Sequence, residues 1–83
     1  MEKVLVSVSI PSVAMNFDAF VPRDIATSDL TDLLVEAAQN YSHGYFFPTG
    51  REVVIHKDRM RVLAPDSDLS QYDVLNGDGL VLL

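Results

Sequence analysis

Two histidines, twelve carboxylates and no cysteine set the chemistry open to this chain of 83 residues. His43 and His56 could hold a metal ion only by converging with a carboxylate such as Glu52, since no thiolate exists to complete a set. Their positions, one in a loop and one in a strand, place them instead on the molecular surface, His56 on the exposed side of a sheet. Asp66-x-Asp68 has the spacing with which a calcium loop begins, but the further ligands and closing Glu do not follow, so it reads as a solvated turn. No nucleophile–base pair sits in a recognisable local motif, and no Gly-rich loop could cradle phosphate. The Asp29/Asp32 and Asp66/Asp68 pairs lack the apolar surroundings that raise the pKa of a general acid. The expectation is a protein that is not an enzyme, with no catalytic residues, cofactor or metal.

The charges are informative by their placement. Twelve Asp and Glu against six Lys and Arg give a net charge of -6, which opposes binding to a phosphate backbone. Residues 1–42 carry a net -4 and residues 62–83 another -4, whereas residues 43–61 carry a net +2 through Arg51, Lys57, Arg59 and Arg61. A sheet edge blunted by cations explains that excess without function. A polarised surface that docks a protein explains it with one.

No segment approaches the ~18 consecutive apolar residues of a membrane-spanning helix. The first residues enter an alternating pattern directly, without the apolar core of a signal peptide. Asn40-Tyr41-Ser42 then fits a glycosylation sequon by chance, and the reading is a cytoplasmic protein without membrane insertion. The absence of cysteine agrees with that compartment.

The elements that must position any functional surface follow from hydrophobic period. Val4, Val6, Val8 and Ile10 alternate with Ser7 and Ser9, the pattern of a half-buried strand. Pro11-Ser12 interrupts it, and Met15, Phe17, Ala19 and Val21 resume it up to Pro22, which predicts a hairpin. Leu30, Leu33, Leu34, Ala37 and Ala38 then recur at helical spacing behind candidate N-caps Thr27, Ser28 and Asp29, and Gly44 supplies a stop. Residues 42–52 form a loop whose Tyr45-Phe46-Phe47 run caps the open end of the core or binds something. Val53–His56, Met60–Leu63 and Leu80–Leu83 read as three further strands, the first two joined by a tight turn at Lys57-Asp58. Tyr72 reads as a buried residue bonding nearby backbone ahead of the last strand. Residues 1–83 thus form one small domain of the α+β class, ββαββ(β), one helix packed on a mixed sheet. With the last strand beside the first, the arrangement is the β-grasp.

Leu69-Ser70-x-Tyr72-x-Val74, a turn, and Leu80-x-Leu82 resemble the end of ubiquitin. The chain is more similar still to the bacterial ubiquitin-like proteins of the YukD/EsaB family, associated with type VII (WXG100) secretion. Leu69-Ser70, Val74, Asn76-Gly77-Asp78, Leu80 and Leu83 carry that likeness, joined by Phe17-Asp18 and Lys57-Asp58. The resemblance implies a ubiquitin-like β-grasp, cytoplasmic, non-enzymatic, and acting as an accessory or adaptor by binding a component of the secretion machinery. It departs from conjugable modifiers and sulfur carriers in ending at Leu83, without the Gly-Gly tail that adenylation requires. The alternative is such a modifier or carrier lacking its tail.

The expected docking surface lies on the sheet face turned away from the helix. If Leu80 and Leu82 point inward, Val81 and Leu83 point outward; either Val53 and Ile55 or Val54 and His56 accompany them. With the local cations, the candidate protein-binding residues are Val53, Ile55, Arg59, Arg61, Val81 and Leu83, on a monomer or weak homodimer.

Overall fold

A computed structural model describes residues 2–83. Strands β1 (Lys3–Ile10) and β2 (Met15–Pro22) form the hairpin, joined by a 3-10 turn at Pro11–Val13. Ala14 closes that turn at φ 52°, in the left-handed region, and returns its amide to the Pro11 carbonyl. Helix α1 (Thr27–Tyr41) crosses to β3 (Val54–His56), and a second 3-10 turn (Lys57–Arg59) leads to β4 (Arg61–Val62). A third such turn (Leu69–Gln71) precedes β5 (Asp78–Leu82). The strands lie in the order β2-β1-β5-β3-β4, with β5 parallel to β1 and every other neighbour antiparallel. The last strand therefore sits beside the first, as the pattern predicts for a β-grasp.

Period two decides the layers. Val4, Val6, Val8 and Ile10 of β1 are fully buried against α1, as are Leu80 and Leu82 of β5. Removing each such side chain from water contributes about 1.5–3 kcal/mol, so these strands anchor the domain. From the helix come Leu30, Leu34 and Ala38, while Leu33 lies at the edge of the stripe and is about half exposed. The helix ends where Ser42, His43 and Gly44 leave helical geometry, the last two at positive φ. Gly44 there donates its amide to the Gln39 carbonyl.

Three expectations need correction, and that for the aromatic run is refined. The N-cap is Ala26, with no side-chain cap, because Thr27 is already helical. Its amide donates to the Ser67 carbonyl, and its hydroxyl lies 3.0 Å from that of Ser67. The long Ala64–Ser67 link thus does the work expected of a local cap. The fourth strand shrinks to Arg61–Val62 because Met60 adopts φ 50°, which no β ladder accepts. The aromatic run divides: Phe46 is buried, whereas Tyr45 and Phe47 are exposed. Finally, His56 is fully buried, because its strand turns Val54 and His56 inward.

Candidate functional site

Strand alternation builds the outer sheet face residue by residue. With Val54 and His56 inward, Val53 and Ile55 face out; with Leu80 and Leu82 inward, Val81 and Leu83 do the same. Register then aligns Val62, Ile55, Val81, Ser9 and Asn16 in one row across the five strands. Above that row, Val53 and Leu83 exchange two backbone hydrogen bonds of 3.0 Å, so pairing continues past the end of β3. Val53, Val62 and Leu83 are 41%, 58% and 57% exposed, and Ile55 and Val81 are half-buried between them. An apolar group of this kind over neighbouring strands is the surface form of a protein-docking patch.

Four of the six residues expected there therefore come together: Val53, Ile55, Val81 and Leu83. Val62 joins them, unforeseen because the register of the short fourth strand depends on the left-handed Met60. Arg59 lies at the margin, in the turn between β3 and β4. Arg61 does not share the face. It stands opposite His56, on the helix side of the sheet, with its guanidinium carbon 5.4 Å from the centre of the Tyr72 ring. Lys57 joins the margin by packing its stem over Gly79, where an added Cβ would come within 3.3 Å of Lys57 Cδ. A side chain at Gly79 would displace that stem, which keeps the ammonium group at the surface.

Behind the face, three carboxylates are held by internal donors. Asp78 accepts from the Leu75 amide and lies 2.9 Å from Nε2 of buried His56. Those two contacts, the Leu75 amide first, hold its carboxyl below the ordinary range. Asp58 accepts from the Gly79 amide at 2.7 Å, stitching the 3-10 turn to β5. Glu52 accepts from the amides of Thr49 and Gly50, and the Thr49 amide foremost lowers its pKa.

His56, Asp58 and Asp78 thus lie close enough to share a cation, with donor atoms within 4.8 Å of one another. The hydrogen bonding describes something else. Nε2–H of His56 donates to Asp78, and Nδ1, wholly buried, has no partner. A metal on Nε2 would displace the Asp78 contact and require an Nδ1–H with no acceptor, the reverse of the arrangement that supports a metal-ligating imidazole. The group is a tie between β3 and β5, buried at His56 and open to solvent at Asp58. His56 reads as a surface histidine only if the register of its strand is unknown.

The segment before β5 is equally specific. Asp68 caps the third 3-10 turn through the Ser70 amide at 3.0 Å, while Gln71 returns a bond to the Asp68 amide. Tyr72 is buried, and its oxygen accepts from the Ala64 amide at 2.8 Å, as expected of a residue that pins the backbone. Asn76 accepts from the Leu5 amide, and Gly77, at φ 90°, donates to the Leu5 carbonyl. That positive φ suits glycine and sets the start of β5 against β1.

No helix among the described residues is long and apolar enough to cross a membrane. Known folds match closely. The EccD5 ubiquitin-like domain from Mycobacterium xenopi aligns over 100% of this chain and 94% of its own, with a TM-score of 0.81 and 17% identity. A chain of the MycP5-free ESX-5 inner membrane complex gives a TM-score of 0.81 at 20% identity, covering all of this chain but only 21% of that one. The UBL domain of Plasmodium falciparum Dsk2 gives a TM-score of 0.76 at 21% identity, over 98% of this chain and 96% of its own. At such identities these likenesses establish the ubiquitin-like fold. No curated protein matches the chain by sequence. Residues 5–82, however, match the family described as WXG100 protein secretion system (Wss), protein YukD. The chain belongs to the YukD family, ubiquitin-like proteins associated with the WXG100, or type VII, secretion system.

Proposed function

We propose that this protein is a non-enzymatic accessory of a type VII secretion system that works in the cytoplasm by docking another protein of the machinery on its outer sheet face. The observation that carries the reading is the continuous apolar row of Val62, Ile55 and Val81, with exposed Val53 and Leu83 beside it. Membership of a secretion-system family supports a partner drawn from that machinery. Arg59 and Lys57 at the margin would set orientation and on-rate, since charges at a rim steer association more than they hold it.

The test is capture from the native host with four proteins: wild type, Ile55→Asp/Val81→Asp, Arg59→Glu/Arg61→Glu, and Leu33→Asp on the helix. The expected outcome is loss of the same secretion-machinery component with the paired sheet-face variant and full capture with the helix variant. Capture weakens with Arg59→Glu/Arg61→Glu through Arg59 alone, since Arg61 lies off the face. A thermal melt of each protein separates lost docking from lost folding. Equal capture by folded Ile55→Asp/Val81→Asp would overturn the docking face.

A further inference from the structure

A depression with an apolar floor lies at the other end of the molecule, away from the proposed docking face. A groove of about 480 Å³ opens where β1 begins, β2 ends and the third 3-10 turn passes. Its floor is Val4, Leu69, Val74 and Leu75, and the first three of these are core residues whose edges form the base of the cleft. Its rim carries Glu2, Asp24 and Asp73, all exposed. One wall is Arg23, half-buried, which directs its guanidinium at the Val74 carbonyl at 3.4 Å and forms no ion pair with the rim. Among the described residues no Lys or Arg pairs with a carboxylate, so the three rim carboxylates have no cationic side-chain partner there. Nor, among the described residues, does any of the three accept an amide hydrogen bond of the kind that occupies Asp58, Asp68 and Asp78.

An apolar floor with an acidic rim selects one class of occupant. An anionic surface, whether membrane or nucleic acid, would be repelled by three carboxylates against one guanidinium. A purely apolar segment would fill the floor and leave the rim desolvated without a counter-charge. We infer that this groove is a second docking site, for a segment of a partner protein that presents Lys or Arg beside an apolar anchor. The anchor lies on Val4, Leu69 and Val74, and the cations meet Asp24 and Asp73. This site stands independently of the face proposed above and has the opposite charge preference.

The test uses the full 83-residue chain, isotope-labelled, titrated with two synthetic helical peptides of identical Leu and Phe content, one bearing Lys and the other Glu between them. The Lys peptide is expected to shift the amides of Val4, Arg23, Ser70 and Leu75, with the Glu peptide at least about tenfold weaker there. Asp24→Lys/Asp73→Lys removes the preference, and Asp24→Asn/Asp73→Asn gives the same loss in milder form. A control with the same change in net charge, Asp32→Lys/Glu36→Lys on the helix, keeps wild-type binding. Equal weakening by the groove and helix variants would reduce the effect to net charge and overturn the site. So would shifts centred on α1 or on β3–β5, or equal binding of the two peptides. Sedimentation that showed a dimer held through the groove amides would assign the site to a second copy and overturn the partner segment.

Discussion

At the β3–β5 end of the molecule the carboxylates face inward to the chain and the cations face solvent; at the groove beside β1 and β2 the reverse holds. Asp78, Asp58 and Glu52 each accept from backbone amides, while Arg51, Lys57 and Arg59 make no ion pair among the described residues. At the groove Arg23 turns to a backbone carbonyl, and Glu2, Asp24 and Asp73 are the free groups. The net charge of -6 therefore mixes two populations. Some carboxylates hold the fold together, and others are left to meet partners. The difference predicts opposite consequences for substitutions that look alike in sequence.

The largest effect on stability is expected at Asp78. Asp78→Ala leaves the Leu75 amide without its acceptor and Nε2–H of a fully buried His56 unsatisfied. Stranding a buried donor costs about 1–3 kcal/mol, and Asp78→Ala should fall within that range. The exposed Leu75 amide adds little, because water replaces its acceptor. Chemical denaturation of the variant against wild type checks it. A loss below about 0.5 kcal/mol would mean that the tie between β3 and β5 is slack, and the contrast between the two ends would fail at its strongest point.

How much of this was legible from residue types alone divides along the same line. Period two and the helical stripe gave the hairpin, α1 and the partnership of β1 with β5, because each involves many residues repeating one signal. The family likeness rested on the segment from Leu69 to Leu83, where turn residues and core anchors alternate at fixed spacing. Features set by single residues were hidden. The left-handed Met60 fixes the register of β4, and so decides that Val62 joins the outer face while Arg61 turns to Tyr72. Which face of β3 is buried also stayed open, since Val53, Val54 and Ile55 are equally apolar, and His56 went inward with Val54. The groove could not be read at all. The β1–β2 hairpin brings Glu2 and Val4 beside Arg23 and Asp24, but only the packing of the third 3-10 turn adds Leu69, Ser70 and Asp73–Leu75 to them.

A smaller effect should appear on acidification. The carboxyls of Asp78 and Glu52 are both held below their ordinary values, by the Leu75 amide and the Thr49 amide first. The unfolded chain thus binds protons at these groups more readily than the folded one. Their contribution is fully present above the unfolded carboxylate range near ~4, and it is lost as the pH falls through the folded values. Stability measured from neutral pH downward should therefore decline below about pH 5, and Asp78→Asn should flatten part of that decline. An unchanged profile in Asp78→Asn would remove Asp78 from the carboxylates that hold the fold.

The smallest change is expected where the charge is equally formal but structurally idle. Asp24 and Asp73 are exposed and accept no bond from a side chain or distant amide among those that organise the fold. Replacing both by Asn removes two negative charges from a chain that already carries an excess of them, so self-repulsion eases slightly. The unfolding free energy should stay within about 0.5 kcal/mol of wild type, as for surface sites without special roles. Thermal and chemical denaturation at low salt would show any hidden structural duty most clearly, since screening is then weakest. A loss comparable with that of Asp78→Ala would place the rim carboxylates among the groups that hold the fold, and the two ends of the molecule would no longer differ in kind.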